Sequence, residues 1–129
     1  MEFSQPKGIY QQIADQVCER ILSGEWAAEE RIPSVRELAV DMGVNPNTVA
    51  RSYQSLVDDM HIENRRGIGY FVIQNARERI LENMKNRFIN MELPRLFRTM
   101  QKLGIKPEEI VQRYEQFSQS VQVSQGEKQ

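Results

Sequence analysis

The feature that most constrains this chain is a break between two helices at Gly43-Val44-Asn45-Pro46. Glycine is the usual left-handed residue that ends a helix. Asn45 is a strong N-cap residue, and Pro46 is preorganised for the first position of the next helix. One helix therefore ends and another begins within about three residues, which predicts a tight helix-turn-helix.

The residues on either side of this turn predict the two helices. Upstream, Ser34 and Glu37 have the Ser-x-x-Glu spacing of a capping box, and apolar residues follow at helical intervals up to Met42. Downstream, we expect a second helix from Pro46 to about Asp59. The apolar positions on one side of this second helix are Val49, Tyr53, Leu56, Val57 and Met60.

The opposite side of the second helix carries polar residues that suit contacts with DNA. A helix-turn-helix inserts its second helix in the major groove, where residues near its N-terminus reach base edges and its terminal amides face a phosphate. Asn47, Thr48 and Arg51 would project from these first turns. Arg36, in the first turn of the preceding helix, is placed to bind a phosphate; the alternative is a solvated partner of an acidic neighbour.

Two short strands and a basic turn follow. Ile62–Asn64 and Tyr70–Ile73 have strand composition, and they flank a turn that contains two glycines, which allow a tight reversal. Arg65 and Arg66 at its tip suit contact with a phosphate or a minor groove. We interpret this hairpin as a wing, and a short edge strand at residues 31–33 could pair with it.

One amphipathic helix, with apolar positions from Ile9 to Leu22, precedes this pattern and is interpreted as a scaffold behind it. Trp26 is expected to cover the edge of the core rather than to stack on a base. Cys18 and His61 are single residues of their type, too few for the usual zinc or Cys-His catalytic sites. We expect Cys18 to be structural and His61 to have a structural or DNA-backbone role.

Residues 74–121 predict a helical region with long apolar stripes. Pro94 should kink a first helix or divide it in two, and Pro107 begins a last helix. About 45 ordered residues are too few for a stable core of their own, so the stripes must be buried on something else. A second copy is the simplest answer, and folding back onto the DNA-binding half is the alternative. The candidate dimerisation residues are Met84, Phe88, Met91, Leu96, Phe97, Met100, Tyr114 and Phe117.

Composition and charge limit the other classes of function. No apolar run in the 129 residues approaches the roughly 18 needed to cross a bilayer, and no signal region is visible, so we expect a cytoplasmic protein without a membrane partner. No nucleotide-binding loop, metal cluster or nucleophile beside a base is present, which predicts neither an enzyme nor a cofactor. Residues 1–73 carry seven basic and eleven acidic side chains, so phosphate contacts must depend on local placement.

Four segments together resemble the winged-helix domain of GntR-type bacterial transcription regulators. They are Tyr10–Ala14, Ile32–Ala39, Gly43–Tyr53 and Arg66–Val72. The short helical tail resembles the YtrA-like branch, whose tail serves dimerisation. Some relatives place an arginine where Ala50 stands, whereas here Arg51 is its neighbour, so both base and phosphate contact stay open for Arg51. The resemblance implies operator contacts by Arg36, Asn45, Asn47, Thr48 and Gly67.

The sequence therefore predicts a mainly α protein with a small β wing. A winged helix-turn-helix domain at 1–73 is followed by a helical dimerisation region at 74–121 and a frayed tail at 122–129. We expect a sequence-specific DNA-binding regulator, in the form of a homodimeric repressor on a palindromic operator of double-stranded DNA. The alternative is a protein-interaction adaptor on a winged-helix scaffold, and no residues indicate a small-molecule effector. The expected DNA-binding residues are Arg36, Asn45, Asn47, Thr48, Arg51, Arg65, Arg66 and Gly67.

Overall fold

The computed structural model describes residues 8–127, with side chains described to residue 122. The chain divides into two compact units between Met84 and Lys85. The N-terminal unit contains, in order, α1 (Ile9–Leu22), α2 (Val35–Met42), α3 (Pro46–Asp58), β1 (Ile62–Arg65) and β2 (Gly69–Val72). After them come α4 (Ala76–Arg87), a π-helical turn (Phe88–Glu92), α5 (Leu93–Leu103) and α6 (Pro107–Glu127).

The capping residues form the helix ends that the sequence predicted. The Ser34 Oγ accepts the Glu37 N–H at 3.1 Å, and the Glu37 carboxylate accepts the Ser34 N–H at 3.1 Å. Gly43 ends α2 with a φ of +67°. The Oδ1 of Asn45 accepts the N–H of Asn47 at 2.8 Å and begins α3. The predicted helix-turn-helix is therefore confirmed.

The core of the N-terminal unit holds α3 from several sides. Tyr53 is fully buried, and its hydroxyl donates to the carbonyl of Pro33 at 2.7 Å. Its ring meets the ring of Tyr70 edge-on, with 4.8 Å between centroids. Ser52 is also fully buried and donates to the carbonyl of Tyr10 in α1 at 2.7 Å. Other buried core residues include Ile13, Trp26, Leu38, Leu56, Ile62 and Ile80.

The wing is a two-stranded antiparallel hairpin whose outer edge is covered by the loop before α2. Arg31 forms an isolated bridge with Phe71, and the N–H of Ile32 donates to the carbonyl of Tyr70 at 2.9 Å. The edge strand considered from the sequence is thus shortened to one bridge. Pro33 follows at once, and a proline has no N–H to extend the ladder.

A buried polar cluster joins α1, the end of α3 and α4. The side chain of His61 is 4% exposed, and its Nδ1 lies 3.8 Å from the Sγ of Cys18. The Nδ2 of Asn83 lies 3.2 Å from the Nε2 of the same ring. Burial lowers the pKa of His61, with Asp59 raising it and Arg79 lowering it further. Both Cys18 and His61 therefore have structural contacts in the core.

Pro94 divides the helical tail through a widened turn. The N–H of Leu93 donates to the carbonyl of Phe88, which is the π-helical spacing, and α5 then starts around the proline. A regular α-helix could not continue here, because proline lacks an N–H and its ring clashes with the carbonyl four residues earlier. At the far end, α6 includes residues 122–127 of the segment that the sequence predicted to fray, and residues 128–129 lie outside the described part.

Replacing Tyr53 with Phe keeps the ring and removes only the donor to the Pro33 carbonyl. Because a buried acceptor then loses its partner, we expect the free energy of unfolding to fall by about 1–2 kcal/mol in urea denaturation. Tyr70→Phe is the matched control, since the Tyr70 hydroxyl has no hydrogen bond to a described residue. An equal loss in both variants would show that the Tyr53 bond does not stabilise the fold.

Because burial lowers the pKa of His61, the unfolded chain takes up this proton at a higher pH than the folded chain does. The contribution of neutral His61 to the free energy of unfolding is complete above the ordinary histidine pKa. It is lost as the pH falls from that value toward the lower pKa of the folded state. We therefore expect urea midpoints to decline between about pH 7.5 and about pH 5.5. His61→Gln should flatten this decline, and an unchanged pH dependence in that variant would rule out His61 as its source.

Candidate DNA interface

The first turn of α3 presents polar side chains because the opposite face is packed into the core. Val49, Ser52 and Tyr53 are fully buried. The side chain of Asn47 is exposed and that of Thr48 is half-buried, and neither hydrogen-bonds to another described residue. These two side chains therefore have the freedom that contacts with base edges require.

The backbone amides at the start of α3 are already used inside the chain. Pro46 has no N–H, the N–H of Asn47 donates to the Asn45 Oδ1 at 2.8 Å, and that of Thr48 donates to the Asn45 carbonyl at 3.0 Å. The Asn45 cap therefore satisfies these amides within the chain, and the expectation that this helix end faces a phosphate stays a prediction. The side chains of this turn remain free for contacts with DNA, and they include the side-chain NH2 donors of Asn45.

Arg51 is stacked on α1. Its Cζ lies 3.9 Å from the centroid of the Tyr10 ring, and the side chain is otherwise exposed. A stacked guanidinium keeps its in-plane N–H donors, which match the oxygens of a phosphate. The cation–π contact therefore gives the Arg51 side chain a defined orientation between α3 and the Tyr10 ring of α1.

Arg36 lies in the first turn of α2, next to the capping box. Its side chain is exposed and forms no ion pair with a described residue, so the alternative of a solvated acidic partner finds no support there. The neighbouring Glu37 is used by the cap: the backbone N–H of Ser34 chiefly lowers the pKa of Glu37, the Ser34 hydroxyl lowers it further, and the charge of Arg31 adds to the effect. Arg36 thus remains available for an anion.

Arg65 is bound within the wing rather than displayed at its tip. Its Nε donates to Glu63 at 2.7 Å, and its Nη2 donates to Glu29 at 3.0 Å. The hydrogen bond to Glu63 chiefly raises the pKa of Arg65, burial offsets this in part, and Glu29 raises it further. The guanidinium also lies 4.0 Å over the ring of Phe71. These contacts fix the wing against the loop before α2.

The tip of the wing consists of Arg66, Gly67 and Ile68, whose side chain is 60% exposed. The N–H of Ile68 donates to the carbonyl of Arg65 at 2.9 Å, which closes the turn, and Gly67 has a φ of +76°. This conformation favours glycine because a Cβ would be strained there. Arg66 is exposed and forms no ion pair with a described residue.

A further guanidinium beside the wing was missed by sequence reasoning. The Nε of Arg31 lies 2.8 Å from the position that a Cβ on Gly69 would occupy, so the arginine side chain passes directly over this glycine. The Gly-x-Gly spacing at positions 67 and 69 was visible, but both glycines were assigned to the reversal of the chain. The second glycine also permits a close contact with a residue distant in sequence.

The C-terminal unit exposes most of the side chains that the sequence assigned to dimerisation. Met100 differs, because it is only 7% exposed in the single chain. The other seven candidate dimerisation residues are 41% to 68% exposed: Leu96, Met84, Phe88, Phe97, Met91, Phe117 and Tyr114. Of these, Met84 lies at the end of the N-terminal unit.

No helix in residues 8–127 is long and apolar enough to span a membrane, and no three His, Cys, Asp or Glu side chains there group as metal ligands.

The sequence and the fold match those of known bacterial regulators. Residues 9–72 match the gntR family of bacterial regulatory proteins. The chain is 34% identical to the HTH-type transcriptional regulator YhcF of Bacillus subtilis, over 92% of this chain and 96% of YhcF. It is 35% identical to the HTH-type transcriptional repressor YtrA of the same organism, over 79% of this chain and 78% of YtrA. The crystal structure of a GntR-family regulator from Bacteroides thetaiotaomicron has 45% identity and a TM-score of 0.80, covering 88% of this chain and 98% of that one. The chain therefore belongs to the GntR family of DNA-binding bacterial transcription regulators.

Proposed function

We propose that this regulator is a homodimeric repressor that binds a palindromic operator. The open polar first turn of α3, with Asn47 and Thr48 displayed and the other helix face anchored in the core, is the observation that supports it most. YtrA, which is similar over most of both chains, is named a repressor, and this supports repression rather than activation. A repressor of this kind acts by occupying DNA that the transcription machinery needs.

We assign the candidate side chains by the freedom that each has. Asn47 and Thr48 read base edges, because neither is committed within the described chain. Asn45 contacts a base or an adjacent phosphate through its amide donors, since its Oδ1 is used by the cap. Arg36 and Arg51 bind phosphates and set the register of the protein on the duplex.

In the wing, we assign the DNA contact to Arg66 and Gly67. Arg66 is exposed, and the glycine lets the backbone approach a sugar or phosphate closely. Arg65 receives a supporting role, because Glu63 and Glu29 already neutralise its guanidinium. It would reach DNA only by giving up two ion pairs and its contact with the Phe71 ring.

The apolar surface of the C-terminal unit supports a dimer. Large side chains recur at helical spacing along α5 and α6, and burying one of them contributes roughly 1.5–3 kcal/mol. A second copy fits as the occupant, because an isologous two-fold interface buries the same face of both chains and presents two α3 helices to two half-sites. The exposed members on these helices are Leu96, Phe97, Leu103, Val111, Tyr114 and Phe117.

Two substitutions separate base reading from backbone binding. Arg36→Ala should weaken binding to a selected operator and to random duplex by a similar factor, because phosphates carry no sequence information. Asn47→Ala should instead lower the preference for the operator, by roughly tenfold to a hundredfold. Fluorescence anisotropy with both duplexes at one salt concentration measures this. Gln54→Ala, an exposed amide two turns further along α3, is the control and should change neither value. Equal losses of both variants on both duplexes would refute these roles.

Phe97→Glu should convert the dimer to a monomer at micromolar concentration, because an unpaired carboxylate cannot be buried in an apolar interface. Size exclusion with light scattering gives the mass directly. Val40→Glu is the matched control, since Val40 is 84% exposed on α2 of the other unit, and it should leave the mass unchanged. A wild-type protein that is monomeric at this concentration, or a Phe97→Glu variant that remains dimeric, speaks against the proposed interface.

A further inference from the structure

We propose that Arg31 forms an additional site that binds a phosphate of the DNA backbone. This site lies between the wing and the N-terminus of α2. This site rests on the proposed DNA binding, and it adds a contact that the sequence did not indicate. Its ligand is a phosphodiester of the bound duplex.

The backbone around Arg31 is fixed by the wing. Arg31 bridges to Phe71, and the N–H of the next residue donates to the carbonyl of Tyr70 at 2.9 Å. The side chain then crosses β2 at Gly69, where a Cβ would lie 2.8 Å from the Nε. Gly69 has a φ of +142°, which strains any other residue there, and a Cβ would also have to displace the arginine side chain. The glycine therefore creates the groove in which the guanidinium lies.

The charge of Arg31 is not neutralised by its sequence neighbours. Glu29 binds Arg65 at 3.0 Å, and the carboxylate of Glu30 accepts the N–H of Ala27 at 2.7 Å. Arg31 itself forms no hydrogen bond or ion pair through its side chain with a described residue, and it is exposed. The loop thus uses its carboxylates elsewhere and leaves one oriented guanidinium open to an anion.

A phosphate fits this position better than a base edge does. The charge of Arg31 contributes to the electrostatic environment of Glu37 in the first turn of α2, where Arg36 is also exposed. Arg31 lies against β2 and Arg36 lies in the first turn of α2, five residues later in the chain, so each supplies an exposed guanidinium close in sequence to the capping box. A planar fork of N–H donors pairs with phosphate oxygens, and duplex DNA supplies such oxygens in a row.

Salt dependence of binding tests the site directly. Arg31→Gln keeps much of the side chain over Gly69 and removes the charge, so the plot of log affinity against log salt should become shallower by about one for each bound protomer, on operator and random duplex alike. Arg31→Lys should retain most of the slope. Arg77→Gln is the matched control, because it removes an exposed guanidinium that donates to the carbonyl of Leu22, at the other end of α1 from Tyr10.

A double-mutant cycle with Gly69→Ala adds a second readout. The new Cβ displaces the guanidinium, so its effect on affinity should be smaller in an Arg31→Gln background, whereas backbone strain would act equally in both. An Arg31→Gln protein that binds with the wild-type slope overturns the site, even if Gly69→Ala fails to fold. A wild-type protein that shows no salt-dependent binding to any duplex would overturn the proposed function as well, which distinguishes the two failures.

Discussion

The presentation of the proposed DNA-reading surface depends on the hydrogen bond from the Tyr53 hydroxyl to the Pro33 carbonyl. Together with the bond from Ser52 to the Tyr10 carbonyl, it ties two adjacent residues of α3 to the loop before α2 and to α1. Both residues are fully buried and follow the exposed first turn by little more than one helical turn. The side chains of that turn therefore project from a fixed helix, and a preorganised surface loses less entropy when DNA binds.

The parts of the fold that were predictable from sequence are those made by close neighbours in the chain. The Ser34–Glu37 capping box and the Asn45 cap each join residues within three positions. These residue types at this spacing commonly cap the N-terminus of a helix. The position of Arg65 was not predictable in this way. Its partner Glu29 lies 36 residues away and has a positive φ of 68°, which no local pattern indicates. The contact of Arg31 with Gly69 was missed for the same reason.

The acidic balance of residues 1–73 is less opposed to DNA binding than the count suggests. Several carboxylates are used inside the fold: Glu37 in its capping box, Glu29 and Glu63 on Arg65, and Glu30 on a backbone N–H. Near the proposed interface, the arginines that pair with no carboxylate of a described residue are Arg31, Arg36, Arg51 and Arg66. The local field that a phosphate meets therefore depends on which charges are already paired, and net charge is a poor guide to it.

Selection of bound duplexes from a random pool by the purified full chain tests the central claim most directly. Two α3 helices related by a two-fold axis should enrich inverted repeats, with half-site centres about 10 base pairs apart or at a multiple of that spacing. The same experiment reports DNA binding, symmetry and spacing together. Enrichment of a single unpaired half-site, or no enrichment at all, would contradict a dimer that reads a palindrome through α3.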